Sequence, residues 1–227
     1  MTSSFNNSKD QTFAHDFSVI SKRFLTASTF VLRFTRNELR FRAGQHIIVG
    51  LKGEMDQREY SIYSSENDEY LEILVKEVKE GNISVKLKES RPGDLLQVNG
   101  PFGSFCLQPS DIRSGKFVFV ATGTGISPFH SIVKSYHETD YMLIHGVRTS
   151  EEAYESDSFD KYRYILCTTQ DRNSDHHGRV TTFLQKYSIA PGTMFMLCGN
   201  GGMIYEVYHI LREKGVQPQD IISERYF

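Results

Sequence analysis

An antiparallel β-barrel followed by an α/β domain on a parallel, Rossmann-like sheet is the fold class predicted by three features of this sequence. Up to about Phe105, short β-branched and aromatic runs sit between glycines at close, regular spacing. Beyond it, similar runs alternate with helical stretches, which is the pattern of βαβ units. The change of rhythm falls near Pro109–Ser114. A chain of 227 residues has room for two small domains. The expected division is a disordered lead over 1–12, a barrel domain over 13–110 and an α/β domain over 111–227.

In the first half, Phe17–Lys22, Thr29–Thr35, His46–Leu51, Glu59–Tyr63, Tyr70–Val78 and Leu95–Val98 read as strands. Gly44, Gly50, Gly53, Gly81, Gly93 and Gly100 bound them, with one brief helix around Ile83–Lys88. In the second half, strands at Phe117–Val120, Tyr141–His145, Tyr164–Thr168 and Met194–Leu197 alternate with helices near Ser127–Tyr136, Ser150–Phe159, Thr181–Gln185 and Met203–Lys214. Repeats and low-complexity tracts are absent.

Composition narrows the function classes. A net charge of −2 gives no reason to expect nucleic acid. No apolar run approaches the roughly 20 residues of a membrane span. The polar start, Met1–Gln11, lacks an apolar signal core. Cys106, Cys167 and Cys198 are too scattered for a disulfide framework or a built-in four-Cys iron–sulfur module, and a reducing cytoplasm is the simplest compartment.

The sharpest local signal is Phe117–Phe129, F-V-F-V-A-T-G-T-G-I-S-P-F. Gly123 and Gly125 carry no Cβ, so the backbone can take positive φ and a phosphate can approach it. Amides at the following helix start favour an anion, and Pro128 suits a first helical turn. A phosphate site and a bare tight turn both satisfy this stretch on its own. Arg58-Glu59-Tyr60-Ser61, at a strand end, offers a forked phosphate donor, an aromatic face and a small hydroxyl. Alternation puts Arg58 and Tyr60 on one face and Ser61 on the other. A surface Arg, a core Tyr and a turn Ser fit equally. Ser84 near a helix opening is either a cap or a cap sharing its amides with a phosphate.

Lys22, Arg23, Arg33, Arg36, Arg40 and Arg42 cluster against the single acid Glu38, either as a docking patch for an acidic partner or as a solvated face. His176-His177 is taken as an exposed loop, because no third metal ligand stands at a telling spacing.

In chain order, R-x-Y-S-I-x-S from Arg58, G-x-x-S-x-x-L from Gly81, G-P-x-G-x-F from Gly100, G-T-G-I-x-P-F from Gly123, G-x-R ending at Arg148 and C-G-N-x-x-M from Cys198 resemble the ferredoxin–NADP+ reductase superfamily. The bacterial ferredoxin/flavodoxin-reductase type is the nearest in pattern, and the resemblance runs from about Phe13 to Phe227. It implies FAD in the barrel and a nicotinamide dinucleotide on the parallel sheet. Arg58 would pair with the FAD pyrophosphate, Tyr60 pack on the isoalloxazine and Ser61, followed by Ile62, hydrogen-bond near flavin N5. Val75, Lys76 and Val78 would flank the flavin, and Gly81, Asn82, Ile83 and Ser84 make a second FAD-phosphate contact. Gly123, Thr124, Gly125 and Pro128 would cradle the dinucleotide, while Cys198, Gly199 and Asn200 place the nicotinamide. Glu224 and Tyr226 look like the family's C-terminal acid and flavin-stacking aromatic, and Phe227 like an aromatic that stacks on adenine. Ser61, Cys198, Glu224 and Tyr226 are thus the expected catalytic set.

The resemblance also implies basic residues around an adenosine 2′-phosphate. Arg148 and Arg179 match two positions; Gln170 stands where a third Arg is expected, and Asp171 would repel a phosphate or bind a bare ribose diol. NADP(H) is favoured over NAD(H). The expected activity is hydride transfer between nicotinamide C4 and flavin N5, with one-electron exchange to a separate ferredoxin or flavodoxin. The reductase component of an oxygenase system and a non-catalytic FAD-binding electron-transfer subunit are the alternatives.

Overall fold

A computed structural model of the chain describes residues 15–78 and 82–226. The expected lead over 1–12, Gly81 and Phe227 lie outside the described residues. The first sheet comprises β1 (His15–Phe24), β2 (Thr29–Thr35), β3 (His46–Leu51), β4 (Gln57–Ser61), β5 (Tyr70–Lys76) and β6 (Leu95–Phe102), with α1 (Asn82–Glu89) between the last two. Its order is β4-β3-β6-β1-β2-β5, every pairing antiparallel. Two-residue alternation turns Phe30, Leu32 and Phe34 of β2, with Ile47 and Val49 of β3, into one buried cluster. Just past β4, Ile62 bridges Ile73 of β5, and the Tyr63 N–H donates to Glu72 O at 2.7 Å. These contacts join the two edge strands and close the barrel.

The second half contains α2 (Asp111–Ser114), β7 (Lys116–Thr122), α3 (Ser127–Ser135), β8 (Asp140–Val147), β9 (Tyr164–Thr168), β10 (His176–His177), α4 (Val180–Lys186), β11 (Thr193–Asn200), α5 (Gly201–Glu213) and β12 (Ile221–Tyr226). The sheet is parallel throughout, in the order β10-β9-β8-β7-β11-β12. The chain steps outward from β7 to β10, then returns to β11 on the other side of β7. The C-terminal ends of β7 and β11 therefore form a topological switch point, where open α/β sheets bind ligands.

Three segments differ from expectation. The helix expected over Ser150–Phe159 is two 3-10 turns, Ser150–Glu152 and Ser156–Ser158, interrupted by Glu155 at φ 47°. Its side chains are drawn apart to partners: Tyr154 and Phe159 are buried, and Glu155 binds Arg23 of the barrel at 2.6 Å. His176-His177 forms the two-residue edge strand β10 rather than a loop, pairing with Cys167 and Thr168. No group of potential metal ligands occurs among the described residues. The tail Ile221–Tyr226, beyond the last expected helix, is the strand β12.

One buried apolar cluster spans both domains, joining Val31, Ala43, Tyr63 and Leu74 of the first half to Phe119, Phe129, Ile132 and Leu143 of the second. Polar contacts reinforce it. The His130 and Tyr63 rings stack at 3.7 Å, His130 Nδ1–H donates to Tyr63 O at 2.8 Å, and Ser131 Oγ donates to Ser64 O at 2.6 Å. No helix among the described residues is long and apolar enough to cross a membrane.

Candidate active site

The floor of the site is built from two backbone turns packed closely against each other, with Thr122 the side chain that links them. A Cβ on Gly125 would lie 2.4 Å from Cys198 O and 2.7 Å from Gly199 Cα. One on Gly199, at φ 126°, would lie 2.5 Å from Thr122 Oγ1. The turns are also tied together, because the Asn200 N–H donates to Thr122 Oγ1 at 3.0 Å. Gly123, at φ 55°, is different: no atom lies within 4 Å of its would-be Cβ, so its face opens onto the crevice. Thr124 O accepts from Ser127 Oγ at 2.7 Å, and Pro128 occupies the first turn of α3. Asn200 has a structural task as well. Its side-chain oxygen caps α5, accepting from Gly202 N at 2.9 Å and Met203 N at 3.2 Å.

His145 supports this floor and was not singled out by any motif. Its Nε2–H donates to Gly123 O at 2.9 Å, and its Nδ1 accepts from the Tyr164 hydroxyl at 2.7 Å. Burial pushes its pKa down to about 4, which leaves a neutral imidazole with one donor and one acceptor, both used.

The expected catalytic residues come from distant parts of the chain and meet here. Parallel pairing of β11 with β12 sets Glu224 opposite Cys198 and Tyr226 opposite Asn200. The Tyr226 hydroxyl donates to Ser61 Oγ at 2.6 Å, and Ser61 Oγ donates to Glu224 Oε2 at 3.2 Å. Glu224 Oε1 faces His46 Nδ1 at 3.3 Å. Burial raises the Cys198 thiol and the Tyr226 phenol well above their ordinary pKa values, so both stay uncharged.

The residues expected around FAD divide into three groups. Arg58 is exposed on β4 and its guanidinium reaches Gln57 O at 3.1 Å. Tyr60 is half-buried on the same strand, its phenol pushed up to about 12 by burial. Ile62, Val75 and Ile83 instead belong to the barrel core, which leaves only their backbones to meet a ligand. Lys76 is committed across the domain boundary to Glu152 at 2.6 Å. Ser84 Oγ accepts from the Val78 N–H at 3.0 Å, Asn82 Nδ2 donates to Asp56 at 3.4 Å, and the Val78 side chain is exposed.

On the dinucleotide side, Arg148 follows β8 and Arg179 precedes α4, both exposed. The Gln170 N–H donates to Arg148 O at 2.8 Å. Asp171 is already engaged by a neighbouring loop. Its Oδ2 accepts from Ser150 N at 2.6 Å and Ser150 Oγ at 3.0 Å, bonds that hold its carboxyl below the usual range.

The basic cluster is largely engaged within the molecule. Arg23 pairs with Glu155 and Arg33 with Glu72, at 2.6 and 2.8 Å. Lys22 binds Ser90 O at 2.6 Å. Arg36 donates to Glu66 O and Asp68 O, both at 2.6 Å, and Arg42 donates to Leu107 O. Arg40 is exposed. Carbonyl partners leave the charge of Arg36 and Arg42 uncompensated, whereas the carboxylates neutralise Arg23 and Arg33.

The donor set fits both cofactors. An exposed guanidinium beside a half-buried ring suits a flavin phosphate and a planar ring system. A glycine-lined cradle at a switch point suits a dinucleotide.

Comparison with known proteins agrees. Residues 16–106 match the family described as "Oxidoreductase FAD-binding domain", and residues 119–209 match "Oxidoreductase NAD-binding domain". The chain is 31% identical to a ferredoxin–NADP reductase of Azotobacter vinelandii, over 92% of this chain and 96% of that protein. It is 33% identical to NADH-cytochrome b5 reductase 1 of Eremothecium gossypii, over 92% of this chain and 82% of the relative. Its fold matches the crystal structure of a ferredoxin NADP+ reductase from Neisseria gonorrhoeae with bound FAD and NADP. The TM-score is 0.83 at 24% identity, covering 94% of this chain and 98% of that one.

Proposed function

Because the chain belongs to the ferredoxin–NADP+ reductase superfamily of FAD- and NAD-binding oxidoreductases, we propose that it exchanges electrons between NAD(P)H and a separate ferredoxin or flavodoxin. The observation that carries this reading is the meeting of Ser61 from the barrel with Cys198, Glu224 and Tyr226 from the parallel sheet. FAD, when bound, supplies the conversion between a two-electron hydride and single electrons.

The chain's own residues bind, orient and exclude water. Arg58 neutralises phosphate on the barrel side. Tyr60 offers its ring from the half-buried face of β4, and Ser61 a hydroxyl already fixed between Tyr226 and Glu224. The uncharged Cys198 thiol is buried, and would give a nicotinamide ring a soft, apolar surface only once Tyr226 has moved aside. Tyr226 shields the crevice until a nicotinamide takes its place, a gating step of the kind that often limits turnover.

Arg148 and Arg179 are the proposed contacts to an adenosine 2′-phosphate, and NADPH is the preferred donor. Arg148→Ala is expected to raise the KM for NADPH by roughly tenfold or more, the worth of one charge-assisted hydrogen bond, with little change for NADH. Equal effects on both nucleotides, in parallel steady-state assays, would remove Arg148 from that role. The docking surface for the carrier narrows to Arg36, Arg40 and Arg42, which form no ion pair with a carboxylate among the described residues; the guanidiniums of Arg36 and Arg42 bind carbonyls.

The test of the whole reading is an anaerobic NADPH titration followed by the visible spectrum. Bound flavin that bleaches near one equivalent is the expected result. Flavin that neither NADPH nor NADH reduces would favour an electron-transfer subunit, and failure to bind any FAD would remove the role of Arg58, Tyr60 and Ser61.

A further inference from the structure

His46 belongs to none of the six motifs, yet it sits where the barrel meets the last strand of the parallel sheet. Strand pairing puts it opposite Ser61 on one side and Phe102 on the other. The Glu224 carboxylate divides between two groups, Oε2 accepting from Ser61 and Oε1 facing His46 Nδ1 at 3.3 Å. Space for the pair is reserved by the next residue after β6. A Cβ on Gly103, at φ 91°, would lie 2.9 Å from His46 Nδ1 and 3.6 Å from Glu224 Oε1.

We propose that His46 is a positioning residue for this site. As an imidazolium it holds Glu224, and with it the part of β12 that carries Tyr226, against Ser61. Docking of Tyr226 over the flavin site then follows the protonation of His46. The inference rests on the function proposed above only where it concerns nucleotide entry.

The surroundings make such a switch workable. The charged groups facing His46 are Glu224 from β12 and Glu59 from β4, both acids. Its other neighbours, Ser61, Phe102 and Gly103, are uncharged. The hydrogen bond to Glu224 raises the imidazole pKa above the ordinary value of 6.5, against partial burial. A base whose pKa is raised in the folded state stabilises that state fully below its unfolded value and loses the contribution as pH rises through the folded one. Tyr226 is therefore held most firmly in mild acid and released as pH rises above 6.5 and through the raised imidazole pKa.

The test is hydrogen–deuterium exchange of the 222–226 backbone in the FAD-loaded enzyme from pH 5.5 to 9, corrected for intrinsic exchange. In the wild type, protection is expected to fall roughly two- to fivefold with rising pH, the scale of a partly exposed ion pair. In His46→Asn, which keeps an N–H near the Nδ1 position and cannot be charged, protection should not change with pH. The KM for NADPH should differ between the two proteins at pH 6 and converge by pH 9. Histidine-labelled NMR gives a second reading: Glu224→Gln should shift the His46 midpoint down towards 6.5. A wild-type exchange profile in His46→Asn, or an unmoved midpoint in Glu224→Gln, would overturn the proposal. The exchange and NMR readouts need no NADPH, so they stand or fall apart from hydride transfer.

Discussion

Gly125→Ala is expected to lower stability by about 3 kcal/mol, the upper end of ordinary overpacking, and to weaken dinucleotide binding by more than tenfold. The added methyl meets Cys198 O and the Gly199 backbone at 2.4–2.7 Å, atoms that cannot swing aside as a flexible side chain would. The β7 and β11 turns must separate, and both expected binding segments lie on them. Gly123→Ala makes a useful contrast. Its methyl would project into open space, and the cost is left-handed backbone alone, about 1–2 kcal/mol. Urea unfolding and nucleotide titration of the two variants should rank Gly125→Ala as the more damaging. The reverse order would mean that close packing of the two turns does not shape the site.

Acidification from pH 7 to 5 is expected to remove about 4 kcal/mol of stability through two buried histidines, His130 and His145. Desolvation pushes each imidazole down to about 4. For His130 it prevails over the Glu155 carboxylate 3.9 Å away, because that histidine is almost wholly enclosed by the domain interface. The unfolded chain protonates these groups near 6.5, so the folded state binds fewer protons over the interval between. Stability is complete above about 6.5 and is lost as pH falls towards 4. His130→Phe retains a flat ring against Tyr63 and should remove about half of this pH dependence, measured by urea denaturation at both pH values. An unchanged slope would show that His130 takes up its proton inside the fold.

The order of elements and the ends of β7 and β11 could be read from the sequence because tight backbone geometry demands glycine, and glycine is visible in a string of letters. Ser61 and Cys198 were reachable for a different reason: each stands in a short ordered motif of a recognisable superfamily, while Glu224 and Tyr226 were reached only through that superfamily's C-terminal pattern. His46 and His145 were not reachable. A single histidine in a strand has no spacing signal, and each finds its partners only when distant strands are brought together. Ser150–Phe159 misled in the opposite way. Its composition permits a helix, but Asp171 binding Ser150 and Arg23 binding Glu155 override local preference. The basic cluster between Lys22 and Arg42 shows the same limit, since a count of charges cannot distinguish a guanidinium bound to a carboxylate from one bound to a carbonyl.

The apolar cluster shared by the barrel and the parallel sheet bears on how such a reductase can be re-engineered. Chimeras that graft one nucleotide module onto another's flavin module are attractive for changing coenzyme. Here the seam is interior: Val31, Tyr63 and Leu74 on one side are packed as deeply as Phe129 and Ile132 on the other. A graft cut at the linker would carry away half of a continuous core, with the stacked Tyr63–His130 pair divided between donor and recipient. The proposed 2′-phosphate contacts Arg148 and Arg179 are exposed on the surface, where substitution leaves this shared core intact.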